Sequence, residues 1–292
     1  MRLTPQTVSP NPHRIPASHL LAILGPGTIL IILFLVPFAT MVAVSFFRPV
    51  AGGFYEPALV YDNYSRFLSP FFLGVLEFTL VLAGLVAVLS VALAFPFTFL
   101  LAQSPRKVQV PWLVFVLAVL SLSEVIIGFA WGTLLSQTAG ITNLFVTLGL
   151  MEKPVPLTPS FGALLIAMIY QAFPYAILVL YPASSRIDPH LTEVARTLGS
   201  SPIRAFFSIT VPNQRRTLTA AVIMVFVFAL GSYLLPQILG RPHDWTLSVM
   251  ITDQAIQQSN MPFAAAMAVL LVVVSLALVG LVGRFGRERR RP

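Results

Sequence analysis

The residues able to do chemistry in this chain are few, and their spacing excludes most of it. There is no cysteine, so disulfides, thiolate metal sites and thiol nucleophiles are ruled out. The four histidines, His13, His19, His190 and His243, fall at no metal-ligand spacing inside an apolar segment. Neither H-E-x-x-H nor G-x-S-x-G occurs, which argues against an intramembrane hydrolase. His19 and His190, each followed by Leu, read as interfacial side chains. A phosphate-binding loop needs G-x-x-x-x-G-K-[ST]; the only lysines, Lys107 and Lys153, are followed by Val and Pro and lack the preceding glycine. The sequence therefore predicts no catalytic residue, no metal site, no cofactor and no ATP site of its own.

Two polar features remain. One is Glu124, inside the apolar "LSLSEVIIGFAW". A carboxylate in lipid costs about 2.5 kcal/mol or more, so it must face protein or water. It reads as a substrate or gate residue, or equally as an interhelical partner or a protonated acid. Glu77, nearer a span end, can reach the interface. Trp131, Tyr170, Gln171, Phe173, Tyr175 and Tyr233 could line a path with Glu124, because aromatic faces hold cations. Packing and interface anchoring are the plainer roles for aromatics, as close helix packing is for Gly231. The other feature is "EVARTLGSSPIRAFFSITVP" at 193–212, a charged stretch in a chain with only 10% charged residues.

The elements that position these residues follow from hydropathy. The chain has 292 residues, 57% of them hydrophobic, and a mean hydropathy of +0.87. A soluble domain would be nearer one quarter charged, so the class is an integral membrane protein. Six segments reach the roughly 20 apolar residues that a spanning helix needs: 20–46, 75–102, 112–135, 161–183, 217–240 and 262–283. Prolines 26, 37, 96, 174 and 236 within them are tolerable, since neighbouring helices answer the freed carbonyls. Residues 1–18 read as a disordered polar tail, 19–286 as the six-helix domain and 287–292 as a basic tail. The first apolar run is too long for the core of a cleaved signal, despite "AVS" at 43–45.

Orientation follows from the basic residues. Arg2, Arg14, Arg106, Lys107, Arg186, Arg196, Arg204, Arg215, Arg216, Arg284, Arg287, Arg289, Arg290 and Arg291 fall on one side, fourteen of eighteen. Only Arg48, Arg66, Lys153 and Arg241 fall on the other. The positive-inside rule places both termini in the cytoplasm, and it accounts for the net charge of +8 without nucleic acid. The loop 184–216 is then cytoplasmic.

Within that loop Asp188 can cap a helix with Pro189 at its first position. Leu191, Val194, Ala195 and Leu198 form one apolar stripe, and Gly199 suits a left-handed C-terminal cap. The pattern restarts with Ser201 as cap and Pro202 as first residue. Ile203, Phe206 and Phe207 give a second apolar face, and Pro212 is the expected stop. Two short amphipathic helices result. Such stripes either lie on lipid or insert into a groove on a soluble partner.

The spacing Glu193, Ala195, Gly199, Phe206, Ile209 and Pro212 resembles the "EAA" loop of permease subunits in bacterial ATP-binding-cassette importers. "GITNLFVTLGL" (140–150), "IYQAFPYAILVLYPASSRID" (169–188) and "FALGSYLLPQILG" (228–240) resemble the spermidine/putrescine branch, which also includes carriers of iron and organophosphonates. The likeness runs from about residue 24 to residue 283. It implies a type I importer permease fold, with Asp188, Leu191, Glu193, Val194, Ala195, Leu198, Gly199, Pro202, Phe206, Phe207 and Pro212 in ATPase coupling. It also implies a second permease, two ATP-binding subunits carrying ATP and Mg, and an extracytoplasmic substrate-binding protein. Val194 occupies the second position of the triplet, and Ile127 stands where relatives often carry Arg. A stand-alone secondary transporter, with the hairpin lying on lipid, is the alternative from another class.

Overall fold

The computed structural model describes residues 17–50, 55–187, 197 and 199–286. They are almost entirely helical, with one isolated β-bridge between Arg48 and Glu56. The helices are α1 (Ala17–Val44), α2 (Asp62–Phe67), α3 (Pro70–Gln103), α4 (Arg106–Leu120), α5 (Glu124–Leu134), α6 (Ile141–Thr147) and α7 (Phe161–Ser184). There follow α8 (Pro202–Asn213), α9 (Arg215–Gly231), α10 (Leu234–Leu239), α11 (Leu247–Thr252) and α12 (Met261–Gly286).

Among the described residues four helices, α1, α3, α7 and α12, are long and apolar enough to cross a membrane. The pairs α4–α5 and α8–α9 bring the number to six if each is one bent span. Pro96 lies inside α3, and Pro174 and Pro182 inside α7, without ending either helix.

The core lies where α3, α7 and α9 meet. Ala83, Ala87 and Ala94 of α3, Ala167, Ala172 and Ala176 of α7, and Ala221 and Ala229 of α9 are buried there. Small side chains let helix backbones approach, which matters in lipid, where apolar burial alone drives no association. Leu82, Val86, Leu164, Ile177, Leu180 and Val225 fill the remaining space. A second cluster joins Phe67, Phe72, Leu247, Phe263 and Met267 at the start of α12. The Arg66 guanidinium sits 4.3 Å from the centre of the Phe263 ring there. α1 packs on α12 and leaves Leu30, Leu33 and Phe34 exposed.

Two spans differ from the hydropathy reading. The expected helix 112–135 starts earlier, at Arg106, and is interrupted at 121–123, where its axis turns by 94°. The expected helix 217–240 ends at Gly231 and resumes as the short α10. Hydropathy averages over such interruptions because the residues around them remain apolar.

Candidate functional site

The two interruptions face each other. Ser123 is extended and its hydroxyl accepts the Val125 N–H at 3.3 Å, which caps α5. Glu124 therefore occupies the first turn of α5, where the helix dipole favours a carboxylate. Its Oε1 accepts the Ser232 hydroxyl at 2.7 Å and lies 3.5 Å from the Leu235 nitrogen. Ser232 is the residue at which α9 stops, and Leu235 lies in the first turn of α10. One carboxylate thus joins two helix breaks.

A broken helix in hydrocarbon leaves carbonyls that must find donors. Ser248 donates its hydroxyl to Leu230 O at 2.6 Å, and Thr246 lies 3.5 Å from Ser232 O. Thr79 of α3 accepts the Leu247 N–H at 2.8 Å while donating to Val75 O at 2.6 Å. Hydroxyls from α3 and the start of α11 thus answer the backbone around the break. Gly128 allows α5 to approach α10: a Cβ there would stand 3.0 Å from Ile238 Cδ1 and 3.5 Å from Leu235 Cδ2.

The other candidate path residues divide. Tyr233, half-buried, directly follows Ser232 at the head of α10, so Glu124 and Tyr233 come to the same break. Trp131 and Tyr170 meet edge-on with centroids 5.7 Å apart. Tyr175 turns to α9 and packs on Phe228 at 4.3 Å, and Phe173 packs on Phe97 at 5.7 Å. Gln171 has its side-chain oxygen buried without a hydrogen-bond partner. Glu77 is exposed. Sequence reasoning missed Ser232, Thr246, Ser248 and Thr79. The pair Ser123–Glu124, a cap followed by a first-turn acid, is the signal that marks a helix start there. Among the described residues no cluster of His, Asp and Glu could hold a metal.

The hairpin is the second candidate region. Asp188, Leu191, Glu193, Val194, Ala195 and Leu198 lie outside the described residues. Gly199 has φ +87°, the left-handed conformation expected of it. Ser201 accepts the Arg204 N–H at 3.3 Å and Pro202 takes the first helical position, both as expected. Phe206 wedges against α3, 5.2 Å from Phe95 and 5.3 Å from Phe99.

The second apolar face is formed but stands open. Ile203 and Phe207 are largely exposed, whereas Phe206 is half-buried. All three nevertheless line one apolar groove together, on the same face of α8. Pro212, by contrast, does not stop the helix as expected. Residues Phe206–Thr210 widen into a π-turn and the helix runs on to Asn213. A local widening of this kind accommodates the proline's missing N–H and its bulk. The real break is at Gln214, where α8 and α9 meet at 76°. Between α3, α8 and α9 lies an open apolar groove of about 670 Å³, lined by Val88, Phe95, Phe99, Phe206 and Leu218 among others.

Residues 63–291 match the family described as "Binding-protein-dependent transport system inner membrane component". The chain is 27% identical over 249 residues to the spermidine/putrescine transport system permease protein PotB of Escherichia coli (strain K12), covering 85% of this chain and 90% of that one. It is 29% identical over 213 residues to the chloroplastic sulfate permease 2 of Chlamydomonas reinhardtii, covering 71% of this chain and 56% of that one. In fold it is similar to a chain of a bacterial ABC transporter involved in the import of the acidic polysaccharide alginate. That likeness has a TM-score of 0.76 at 20% identity, over 94% of this chain and 96% of the other. The matched region begins at α2 and contains both helix breaks and the whole hairpin. The chain therefore belongs to the inner membrane components of binding-protein-dependent transport systems, and is a multi-pass permease subunit of an ABC-type importer.

Proposed function

We propose that this subunit forms half of the import path for a small organic cation of the polyamine class. Its cytoplasmic hairpin receives an ATP-binding subunit. The complex would contain a second permease, two ATP-binding subunits and an extracytoplasmic binding protein that delivers the solute. Closure of the ATP-binding subunits moves the hairpin, and the bundle alternates its access between the two sides. Both termini are cytoplasmic, in keeping with the fourteen basic residues on that side.

Overall identity does not choose the cargo, because the polyamine and sulfate relatives are similarly distant. The observation that carries the cationic reading is Glu124, a carboxylate held between two helix breaks by a single hydroxyl and one long amide contact. Only its Oε1 is engaged in these contacts, so the group retains acceptor capacity toward an ammonium. The aromatic pair Trp131 and Tyr170, together with Tyr233, adds faces able to pass a cation. Attraction must stay modest, since cargo has to leave.

Uptake of labelled spermidine by the reconstituted importer tests this. ATP-dependent uptake that falls about ten-fold in Glu124→Gln, with unchanged binding-protein affinity, supports the cationic path; ten-fold corresponds to about 1.4 kcal/mol. Uptake of labelled sulfate instead, or equal spermidine uptake by the variant, overturns it. For the hairpin, Gly199→Val forces a β-branched residue to φ +87° and should weaken retention of the ATP-binding subunits. Glu193→Ala should act likewise. Normal retention and normal ATP-driven uptake in both would remove the docking assignment.

A further inference from the structure

At the cytoplasmic end, three side chains tie four helices together. Gln109, in the first turn of α4, donates its amide hydrogens to Ala102 O at 3.1 Å and Ser104 O at 2.7 Å. Those carbonyls belong to the C-terminal end of α3, which lacks intrahelical donors. Gln109 Oε1 accepts the Tyr181 hydroxyl of α7 at 2.8 Å. The amide has one workable orientation, because turning it over would set its oxygen against two carbonyl oxygens. Two residues after Tyr181, Ala183 O accepts Gln214 Nε2 at 3.2 Å. Gln214 is buried at the bend between α8 and α9, where the hairpin turns into the span.

α4 needs such a tie. Within this chain it packs mainly on α7, and Val116 is its one buried residue. Val114, Phe115 and Leu117 are exposed, and Trp112 meets Phe97 of α3 edge-on with ring centroids 5.5 Å apart. An element held by so little apolar packing takes its position from its few directional bonds. Beyond the bend at 121–123, α4 leads directly to Glu124.

We propose that Tyr181 and Gln109 are positioning residues that carry a displacement of the hairpin, entering α7 at Ala183 through Gln214, into α4 and on to the Glu124 break. The link rests on the reading of the hairpin as the docking element for an ATP-binding subunit. It makes α7 the relay: Gln214 pulls on its last turn, and Tyr181 hands the motion to α4.

The absence of cysteine gives a clean reporter. Ala130→Cys, on the exposed face of α5, is labelled with N-ethylmaleimide in the assembled importer, with and without ATP plus vanadate. The parent reporter should change its labelling rate with nucleotide. Tyr181→Phe removes one hydroxyl and should shrink that change about two- to ten-fold, the range for one lost hydrogen bond. The ATP-binding subunits should stay bound and keep hydrolysing ATP. Gln109→Leu should do the same, and the double variant should lose little more than either single one. An undiminished response in Tyr181→Phe overturns the link alone. A response lost together with ATPase binding or folding marks a structural role and overturns it too. A parent that ignores nucleotide overturns the docking reading and the link with it.

Discussion

The Glu124 break and the cytoplasmic hairpin are held by different balances of force. Around the break polar ties answer the interrupted backbone, Glu124 with Ser232, Ser248 with Leu230 O and Thr79 with the Leu247 N–H, beside the apolar packing of Ile127, Leu235 and Leu239. The hairpin is anchored first by a ring, Phe206 against Phe95 and Phe99. The solvent explains the difference. In hydrocarbon a freed carbonyl has no water to turn to, while apolar contact gains nothing over lipid. Toward the cytoplasmic end of α3 the hairpin's exposed backbone can be hydrated, which leaves ring packing to seat Phe206. Each region uses the force its surroundings leave available.

That comparison can be broken by ranked substitutions in the purified chain, read as thermal unfolding in detergent. Phe206→Ala should cost most, about 2–3 kcal/mol, somewhat below a fully buried Phe because Phe206 is half-buried. Thr79→Val keeps shape but leaves the Leu247 N–H unanswered, for about 1–2 kcal/mol. Ser232→Ala removes the hydroxyl that holds Glu124 and should cost about 0.6–1.7 kcal/mol, the range for interhelical bonds in membranes. Ser201→Ala, a cap on a short helix in reach of water, should cost least, about 0.5 kcal/mol. A loss at Ser232 greater than that at Phe206 would reverse the assignment of forces. Phe206→Leu should recover most of the Phe206→Ala loss, because size and apolarity matter there and no directional bond does.

Much of the scaffold was legible in the sequence. Apolar runs gave α3, α7 and α12 nearly to their ends, because a continuous greasy helix is what hydropathy measures. Gly199, Ser201 and Pro202 were readable for a different reason: each is a residue type whose backbone role is local. The helix breaks were not read, since "SLSE" and "GSY" interrupt hydropathy too briefly to lower its average. Their meaning is tertiary, and Ser232 becomes a site residue only once Glu124, 108 positions away, is placed beside it. Pro212 misled for a related reason. Proline removes one hydrogen bond, but whether the helix ends there depends on whether a π-turn can absorb it. Gln109, Tyr181 and Gln214 carry no sequence signal at all, being ordinary residues near span ends.

The central claim is that the hairpin of this permease is where chemical energy enters from a separate ATP-binding chain. Ser200, between Gly199 and the cap Ser201, gives the most direct test. Ser200→Cys, the only cysteine in the chain, is modified with a photoreactive maleimide in the assembled importer, irradiated, and its adduct mapped by mass spectrometry. The account predicts a cross-link to the ATP-binding subunit. Adducts confined to lipid, with ATP-binding subunits present in the complex, would contradict it.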